Sequence, residues 1–281
     1  MSNSVINPAI KEIVLEPDKA QRQYWFDLWR YRELFYFLAW RDILVRYKQT
    51  VVGVAWAVIR PLLTMVILTV VFGQLAGMDS GGTPYPILVM CGMLPWQFFA
   101  TAMSESGSSL VRNSSMVSKV YFPRLIVPAS SVITSLVDFM ISAVILVCVM
   151  IYYQFMPGWE VVFLPLFVAM AFLAAFGVGV WVSALMVRFR DFRFIVPFIV
   201  QFGLYISPVG FQSGVVPEQW RWIYSLNPMV GVIDGFRWAI LGGEHKIFVP
   251  GMAISIVLVL FIVYSGIWFF RKTEKTFADI I

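Results

Sequence analysis

Residues 161–187, VVFLPLFVAMAFLAAFGVGVWVSALMV, contain no charged side chain. A helix needs about 20 apolar residues to cross the hydrocarbon core of a bilayer, so this stretch predicts a membrane-spanning helix. Outward from it along the chain, five more apolar stretches are long enough to do the same, at residues 53–75, 85–106, 129–153, 194–211 and 247–270. The first of these is interrupted by Arg60-Pro61, and the second contains Pro95.

The composition supports the same interpretation. Of the 281 residues, 60% are hydrophobic and 13% are charged, whereas a soluble domain carries about 25% charged residues. Apolar side chains this abundant cannot all be hidden in one core, which argues against a water-soluble globular enzyme. The sequence therefore predicts an all-α polytopic membrane protein with a single transmembrane domain of six helices, over residues 53–270.

The distribution of basic residues predicts the orientation. Seventeen of the 21 Lys and Arg residues fall on one side of the predicted spans, in residues 1–52, the two loops around Lys119 and Arg190, and the tail 271–281. Basic loops stay preferentially in the cytoplasm. Both termini are therefore expected to be cytoplasmic in a multi-pass membrane protein.

Two segments outside the spans are unusual. Residues 30–50 are too charged to cross a membrane, but at 100° per residue Tyr36, Trp40 and Tyr47 share one face. That pattern favours a helix lying at the membrane surface, although an amphipathic helix packed on a soluble partner is the alternative. Residues 212–246 are rich in aromatic residues and interrupted by Pro and Gly, which favours re-entrant helices at the outer side over an aromatic belt at the interface.

Motifs for catalysis and metal binding are missing from the sequence. There is no phosphate-binding loop, no G-x-S-x-G, no H-E-x-x-H and no C-x-x-C, and His245 is the only histidine. We therefore predict no catalytic residues, no metal site and no cofactor in this chain. The pI of about 9.2 reflects the basic loops, so nucleic acid is not an expected partner.

Three charged residues, Arg60, Glu105 and Asp138, fall inside predicted spans. Each costs about 2.5 to 3.5 kcal/mol at the centre of a membrane helix, so each is expected to face protein or water. Asp138 is the most deeply placed. It could relay protons, pair with a basic group such as Arg60, or hydrogen-bond within the helix bundle.

Aromatic residues in the spans could line a channel for a sugar polymer, because rings present flat faces to the apolar side of a sugar. The alternative for each ring is packing or contact with lipid. The candidate channel residues are Trp96, Phe98, Phe99, Phe202, Tyr205 and Phe211.

The loop 111–128 combines basic and aromatic residues and could anchor a cytoplasmic protein. Contact with anionic lipid is the alternative. The residues expected to make the contact are Lys119, Tyr121, Phe122, Pro123 and Arg124.

Five motifs resemble one known family, the membrane permeases of ABC transporters that export O-antigen, capsule or teichoic acid polysaccharides. They are WRDILVRYKQTVVGVAW at 40–56 leading into Arg60-Pro61, KVYFPR at 119–124, FRDF at 189–192, SPV at 207–209 and LNPM at 226–229. The resemblance covers residues 33–270. Each motif alone is weak, and the combination is specific.

The resemblance implies a homodimer in the bacterial cytoplasmic (inner) membrane, associated with two cytoplasmic nucleotide-binding ATPase subunits that bind the ATP and Mg²⁺. It implies that the loop 119–124 couples to the ATPase, beside an interface helix that includes Trp40, Arg41, Asp42, Arg46 and Tyr47. The substrate would be a polysaccharide linked to undecaprenyl pyrophosphate or a related carrier, with the re-entrant helices helping to close the outer mouth. Arg60 could contact the pyrophosphate or only extend toward the membrane surface. A drug or lipid exporter of the same architecture, and a membrane enzyme acting on a lipid-linked sugar, are the alternative functions.

Overall fold

The computed structural model describes residues 20–48, 51–242, 245 and 247–277. All regular secondary structure in these residues is helical, which confirms the all-α prediction. The helices are α1 (Ala20–Arg30), α2 (Arg32–Lys48), α3 (Val51–Leu68), α4 (Tyr85–Arg112), α5 (Ser114–Lys119), α6 (Ile126–Tyr152), α7 (Leu164–Arg188), α8 (Phe192–Ile206), α9 (Glu218–Tyr224), α10 (Pro228–Leu241) and α11 (Val249–Glu274). A π-helix, Thr69–Leu75, continues α3, and short 3₁₀ turns are formed by Trp159–Phe163 and Ser213–Val215.

Five helices of the described residues are long and apolar enough to cross a membrane. They are α3 with its π-helical continuation, α4, α6, α7 with its preceding turn, and α11. Five of the six predicted spans are therefore confirmed by length and composition. The remaining one, 194–211, corresponds to α8, which has 15 residues and at 1.5 Å per residue is shorter than the ~30 Å hydrocarbon core.

The early end of α8 has a local cause. Ser207 precedes Pro208, and a residue before proline is disfavoured in the helical region. Ser207 is accordingly extended, with φ −81° and ψ 151°, so the helix ends at Ile206 and not at the predicted residue 211. A sixth crossing by this segment stays a prediction.

Two other predicted boundaries differ from the structure. Arg60-Pro61 was expected to interrupt the first span, but α3 continues through Pro61. The second span was expected to end at residue 106, but α4 extends to Arg112. A prediction from apolar length ends a span at the first run of polar residues. The Ser-rich end of α4 nevertheless stays helical, because it packs inside the bundle.

The predicted surface helix is present as α2, preceded by α1, which was not predicted. The predicted re-entrant region contains α9 and α10, and α10 packs against α4, α7 and α11. The helical content of this region agrees with the prediction, while its depth in a membrane stays a prediction. Gln49 and residues 1–19, 50, 243–244, 246 and 278–281 lie outside the described residues.

The centre of the bundle is α4, which packs on α6, α7 and α10. Small residues bring the helices close together. A Cβ added to Gly177 on α7 would lie 2.9 Å from the Val263 nitrogen of α11, and one on Gly266 would lie 2.7 Å from the Gly177 carbonyl. Backbones in contact at glycine are typical of membrane helix pairs, where dispersion contacts drive association.

One end of the bundle is strongly basic. We call it the basic end; it carries Arg41, Arg46, Arg112, Arg124, Arg188, Arg190, Arg193 and Arg271. A second apolar core lies at this end and joins α2, α4, α5, α6, α7 and the last residues of α11. We call it the basic-end core, formed by Leu38, Leu110, Val117, Phe122, Leu125, Ile126, Val127, Val180, Ala184, Val187, Phe270 and Phe277.

Candidate transport cavity

A cavity of about 550 Å³ lies between α2, α3, α4, α6 and α8. Its wall combines aromatic rings, amides and charges. The lining residues that bear on function are Arg46, Tyr47, Trp56, Arg60, Trp96, Gln97, Phe98, Glu105, Asp138 and Gln201. Residues predicted separately on the interface helix, in the spans and at Arg60 therefore meet at one place.

The charged side chains of this cavity form a network centred on Arg46 of α2. Its Nη1 lies 2.6 Å from Oδ2 of Asp138 on α6, and its Nη2 lies 2.7 Å from Oε1 of Glu105 on α4. Arg112 adds a second pair to Glu105, at 2.8 Å. One guanidinium thus ties the surface helix to two helices of the bundle, where charge-assisted hydrogen bonds are strong.

Tyr47 completes the network by donating its hydroxyl proton to Asp138. Burial, together with the Asp138 carboxylate, raises the pKa of Tyr47, so the phenol keeps its proton. Among the three possibilities for Asp138, the structure shows hydrogen bonding within the protein, and its basic partner is Arg46 and not Arg60. This partner could not be predicted from the sequence, because Arg46 and Asp138 are 92 residues apart.

The two arginines and two carboxylates of the network balance in charge. Arg60, by contrast, makes no ion pair within 4 Å with any residue that the structure describes. It projects from α3 into the same cavity and is exposed. The cavity therefore carries one uncompensated positive charge among the residues described.

The predicted channel aromatics do not all lie together. Trp96 and Phe98 line the cavity, and Phe99 is buried behind Trp96, with ring centroids 5.7 Å apart. Phe202 and Tyr205 are exposed on α8, 49% and 62% respectively, away from the cavity lining. These two residues do not line this cavity, and their predicted place in a channel between two copies of the chain stays a prediction.

Phe211 lies elsewhere in the bundle. It packs against Phe72 at 6.3 Å, at the end opposite to the basic one. Trp56, Gln97 and Gln201 line the cavity instead and were missed. Gln97 and Gln201 were detectable in principle, since each is the amide side chain of a mainly apolar predicted span.

The loop predicted to dock a partner divides into an exposed and a buried part. Lys119, Val120 and Tyr121 are exposed, Tyr121 by 67%, whereas Phe122 is only 4% exposed and belongs to the basic-end core. Pro123 is also buried. The prediction that Phe122 is a surface anchor is corrected: its ring fixes the loop, and Tyr121 is the ring available to a partner.

Arg124 fastens the other end of this loop. Its backbone N–H donates to Oε1 of Glu274 at 2.8 Å, and its guanidinium donates to the Glu274 carbonyl. The loop is therefore held by the last turn of α11. Arg124 belongs to this internal attachment and contributes less to a free docking surface than predicted.

The interface helix presents two different faces. Trp40 stacks parallel to Tyr36 with centroids 6.4 Å apart, and both rings are exposed. The polar face turns toward the protein: Arg41 pairs with Asp42 at 2.7 Å and donates to Oδ1 of Asn113 at 2.9 Å. The exposed Tyr36 and Trp40 agree with the predicted place in the headgroup layer. Tyr47 was predicted on the same face but turns toward Asp138 in the bundle.

One arginine at the end opposite to the basic end is buried, which was not predicted. Arg237 of α10 is 2% exposed, and its guanidinium donates to the carbonyls of Phe211 at 2.7 Å and Val209 at 2.9 Å. Its position in the otherwise apolar PMVGVIDGFRWAIL helix, three residues after Asp234, was the available signal.

Comparison with known proteins identifies the family. The ABC-2 type transporter family matches residues 33–241. The chain is 27% identical over 242 residues to the O-antigen export system permease protein RfbA of Klebsiella pneumoniae, covering 86% of this chain and 92% of the relative. It is 26% identical to the RfbA permease of Myxococcus xanthus, covering 91% and 98%, and 23% identical to the polysialic acid transport protein KpsM of Escherichia coli, covering 84% and 91%.

The match extends over the segments that form the cavity, from the interface helix to α10. The long apolar helices of the chain and its similarity to membrane permeases both indicate a multi-pass protein of the inner membrane. The chain therefore belongs to the ABC-2 type transporter family, as a permease homologous to those of O-antigen and capsular polysaccharide export.

Proposed function

We propose that this chain is the permease subunit of an ATP-driven exporter that moves a lipid-linked polysaccharide, such as an O-antigen of lipopolysaccharide, across the cytoplasmic membrane. The main support for the proposal is the cavity between α2, α3, α4, α6 and α8, which combines indole faces, amides and one arginine without an ion pair among the described residues. The relatives' names supply the substrate class.

The chemistry of the cavity suits such a substrate. Trp56 and Trp96 offer flat faces to sugar rings, and Gln97 and Gln201 can exchange hydrogen bonds with sugar hydroxyls. Arg60 can bind a phosphate through its fork of N–H donors. Because the Arg46 network is neutral, it does not repel an anionic carrier.

The basic end faces the cytoplasm in this proposal, in accordance with the positive-inside rule. The exposed Lys119, Val120 and Tyr121 contact a separate ATPase subunit, which binds ATP and Mg²⁺ and supplies the energy. Two copies of the chain and two ATPase subunits form the exporter. The exposed apolar residues of α3 and α8, including Val66, Phe198 and Phe202, face the second copy or lipid.

Complementation of a deletion strain tests the function. The gene is removed from its host and restored as wild type or as Arg60→Gln, and surface polysaccharide is measured by gel electrophoresis and immunoblotting. We expect the deletion to retain glycan inside the cell, the wild type to restore export, and Arg60→Gln to lower it about tenfold or more. Unchanged surface glycan in the deletion strain, or ATP hydrolysis by the purified chain alone, would contradict the proposal.

Arg188→Gln is the matched control for Arg60→Gln. Arg188 is exposed at the same end of the bundle, but its guanidinium lies over the Phe189 ring, 5.4 Å from the centroid, and it does not line the cavity. Export by this variant should match the wild type. An equal loss in both variants would attribute the effect to general surface charge.

A further inference from the structure

We propose that a second pocket at the basic end binds the phosphate headgroup of a lipid. This pocket has a volume of about 440 Å³ and lies between α4, the end of α7 and the beginning of α8. The residues on which the proposal depends are Ser108, Arg112, Ser114, Arg190, Arg193 and Pro197. Its use in transport rests on the proposed function, whereas the binding itself does not.

Three arginines line this pocket, and no Asp or Glu does. Arg112 is paired with Glu105. Arg190 and Arg193 make no ion pair within 4 Å with the residues that the structure describes, although Asp191 is their neighbour in sequence. Like charges without a counter-ion repel one another, so an anion bound between the two arginines would relieve that repulsion.

The positive-inside rule explains why arginines are found at this end, but not why they converge on one pocket. Arg188 shows the difference, because it comes from the same connection between α7 and α8 and does not line the pocket. Guanidinium groups match phosphate oxygens in geometry and bind them through two parallel hydrogen bonds. Arg190 and Arg193 can therefore each offer such paired donors to a phosphate in this pocket.

Serine hydroxyls contribute less than the arginines to the proposed binding of phosphate. Ser104 and Ser108 already donate to carbonyls on α4, at 2.9 and 3.1 Å, so their oxygens make the wall polar without supplying free donors. The Ser114 hydroxyl makes no hydrogen bond with described residues and is free to donate. A phosphate would therefore meet two guanidinium groups and one hydroxyl donor.

The rest of the wall is apolar. It is formed by Val111, Met186, Val187, Val196 and Pro197. A free anion gains nothing from such a wall, whereas a lipid can pack part of its chain against it. The ligand class is therefore a phosphate or pyrophosphate attached to an apolar chain.

This pocket lies directly beside the transport cavity. Thr101 and Glu105 of α4 line the cavity, and Ser104 and Ser108, on the adjacent stripe of the same helix, line the pocket. On α8, Pro197 and Gln201 are one helical turn apart and belong to the pocket and the cavity respectively. A lipid phosphate bound here would hold whatever is attached to it at the mouth of the cavity.

A binding experiment tests this site with the purified full-length chain in phosphatidylcholine nanodiscs. A polyprenyl pyrophosphate, phosphatidylglycerol and inorganic pyrophosphate are titrated separately, and bound ligand is counted by native mass spectrometry. We expect the double variant Arg190→Gln/Arg193→Gln to bind the phosphate lipids about tenfold more weakly or worse. Arg188→Gln, which removes one positive charge at the end of α7, should bind within about twofold of the wild type.

The three probes identify the source of the phosphate. Tighter binding of the polyprenyl pyrophosphate than of phosphatidylglycerol would assign the pocket to a transported lipid, and equal binding would assign it to membrane headgroups; both support a phosphate site. Inorganic pyrophosphate should bind more weakly than either lipid. Equal losses in the double variant and in Arg188→Gln, or no loss in the double variant, would overturn the proposal.

Two further measurements distinguish a loss of phosphate binding from misfolding and from a loss of transport. The Arg190→Lys/Arg193→Lys variant keeps both charges and should recover part of the affinity, which a misfolded protein would not. Export in the deletion strain reports on the proposed function independently: a chain that binds phosphate lipid and exports no glycan would refute the function and leave the site intact.

Discussion

Arg46 joins the surface helix α2 to two helices of the bundle through ion pairs with Glu105 and Asp138. Replacing it with Ala would leave Glu105 and Asp138 without this partner in a site where their side chains are only about one third exposed, 30% and 32%. We expect Arg46→Ala to lower the free energy of unfolding by about 1 to 3 kcal/mol, measured as a lower melting temperature in detergent.

Arg41→Ala is the control for this effect, five residues earlier on the same helix. Its ion pair is with its sequence neighbour Asp42, it donates one further hydrogen bond to Asn113, and it is 38% exposed. Exposed pairs contribute about 0 to 1 kcal/mol, so the melting temperature should fall less than in Arg46→Ala. Similar shifts for the two variants would show that Arg46 has no special role.

Neighbouring rings of the docking loop should behave differently. Phe122→Ala would open a cavity in the basic-end core and cost about 3 to 5 kcal/mol, which would be seen as poor yield and a low melting temperature. Tyr121→Ala should leave the melting temperature unchanged and weaken retention of the ATPase subunit in a pull-down experiment. Loss of stability in Tyr121→Ala together with normal ATPase binding would contradict this division.

At the scale of elements, α10 is fastened by its buried arginine to the turn that follows α8. Gly92 of α4 makes room for this contact, since a Cβ there would lie 2.9 Å from both Nη2 of Arg237 and the Val209 carbonyl. Overpacking of this kind costs about 1 to 3 kcal/mol. Gly92→Ala should therefore lower the melting temperature.

The chain offers a matched control for Gly92→Ala at the same end. A Cβ on Gly214 would have nothing within 4 Å, and changes at such positions are usually within about 0.5 kcal/mol. Gly214→Ala should melt like the wild type. A neutral Gly92→Ala would mean that α4 and α10 can move apart without loss.

Elements were predictable from sequence to the extent that they depend on local properties. Apolar length located α3, α4, α6, α7 and α11, because crossing a bilayer requires a fixed number of residues. Length could not distinguish a full span from the 15 residues of α8. It also could not find α1, whose packing depends on the distant end of α11, where Arg271 lies over the Tyr24 ring, 4.5 Å from the centroid.

The site was predictable only in part, for a related reason. The types of residue were found: aromatic rings, Arg60, Asp138 and the interface helix. The partner of Asp138, the burial of Phe122 and the exposure of Tyr205 depend on contacts between segments far apart in the chain, which a single sequence does not display.

At the scale of the whole molecule, the two ends should lie on opposite sides of the membrane. In a Cys148→Ser background, where the remaining Cys91 is buried, we introduce Ser118→Cys at the basic end or Gly214→Cys at the other. A membrane-impermeant thiol reagent should label residue 118 only in inverted vesicles and residue 214 only in intact cells.

Each introduced cysteine controls for the other, because both positions belong to one protein in one membrane. Labelling of both from the same side would overturn the proposed orientation and with it the assignment of Tyr121 to the cytoplasm. Labelling of the Cys148→Ser parent would show that Cys91 is accessible.

The basic-end core joins Leu38 near the start of the chain and Phe122 in its first half to Phe270 and Phe277 near its end. During synthesis, the ribosome must therefore deliver α11 before the loop that holds Tyr121 can be fixed. A truncated chain lacks those two phenylalanines and Glu274, so its docking surface stays unformed. Incomplete copies should fail to recruit the ATPase, which protects the cell from a leaky, half-built exporter that consumes nucleotide.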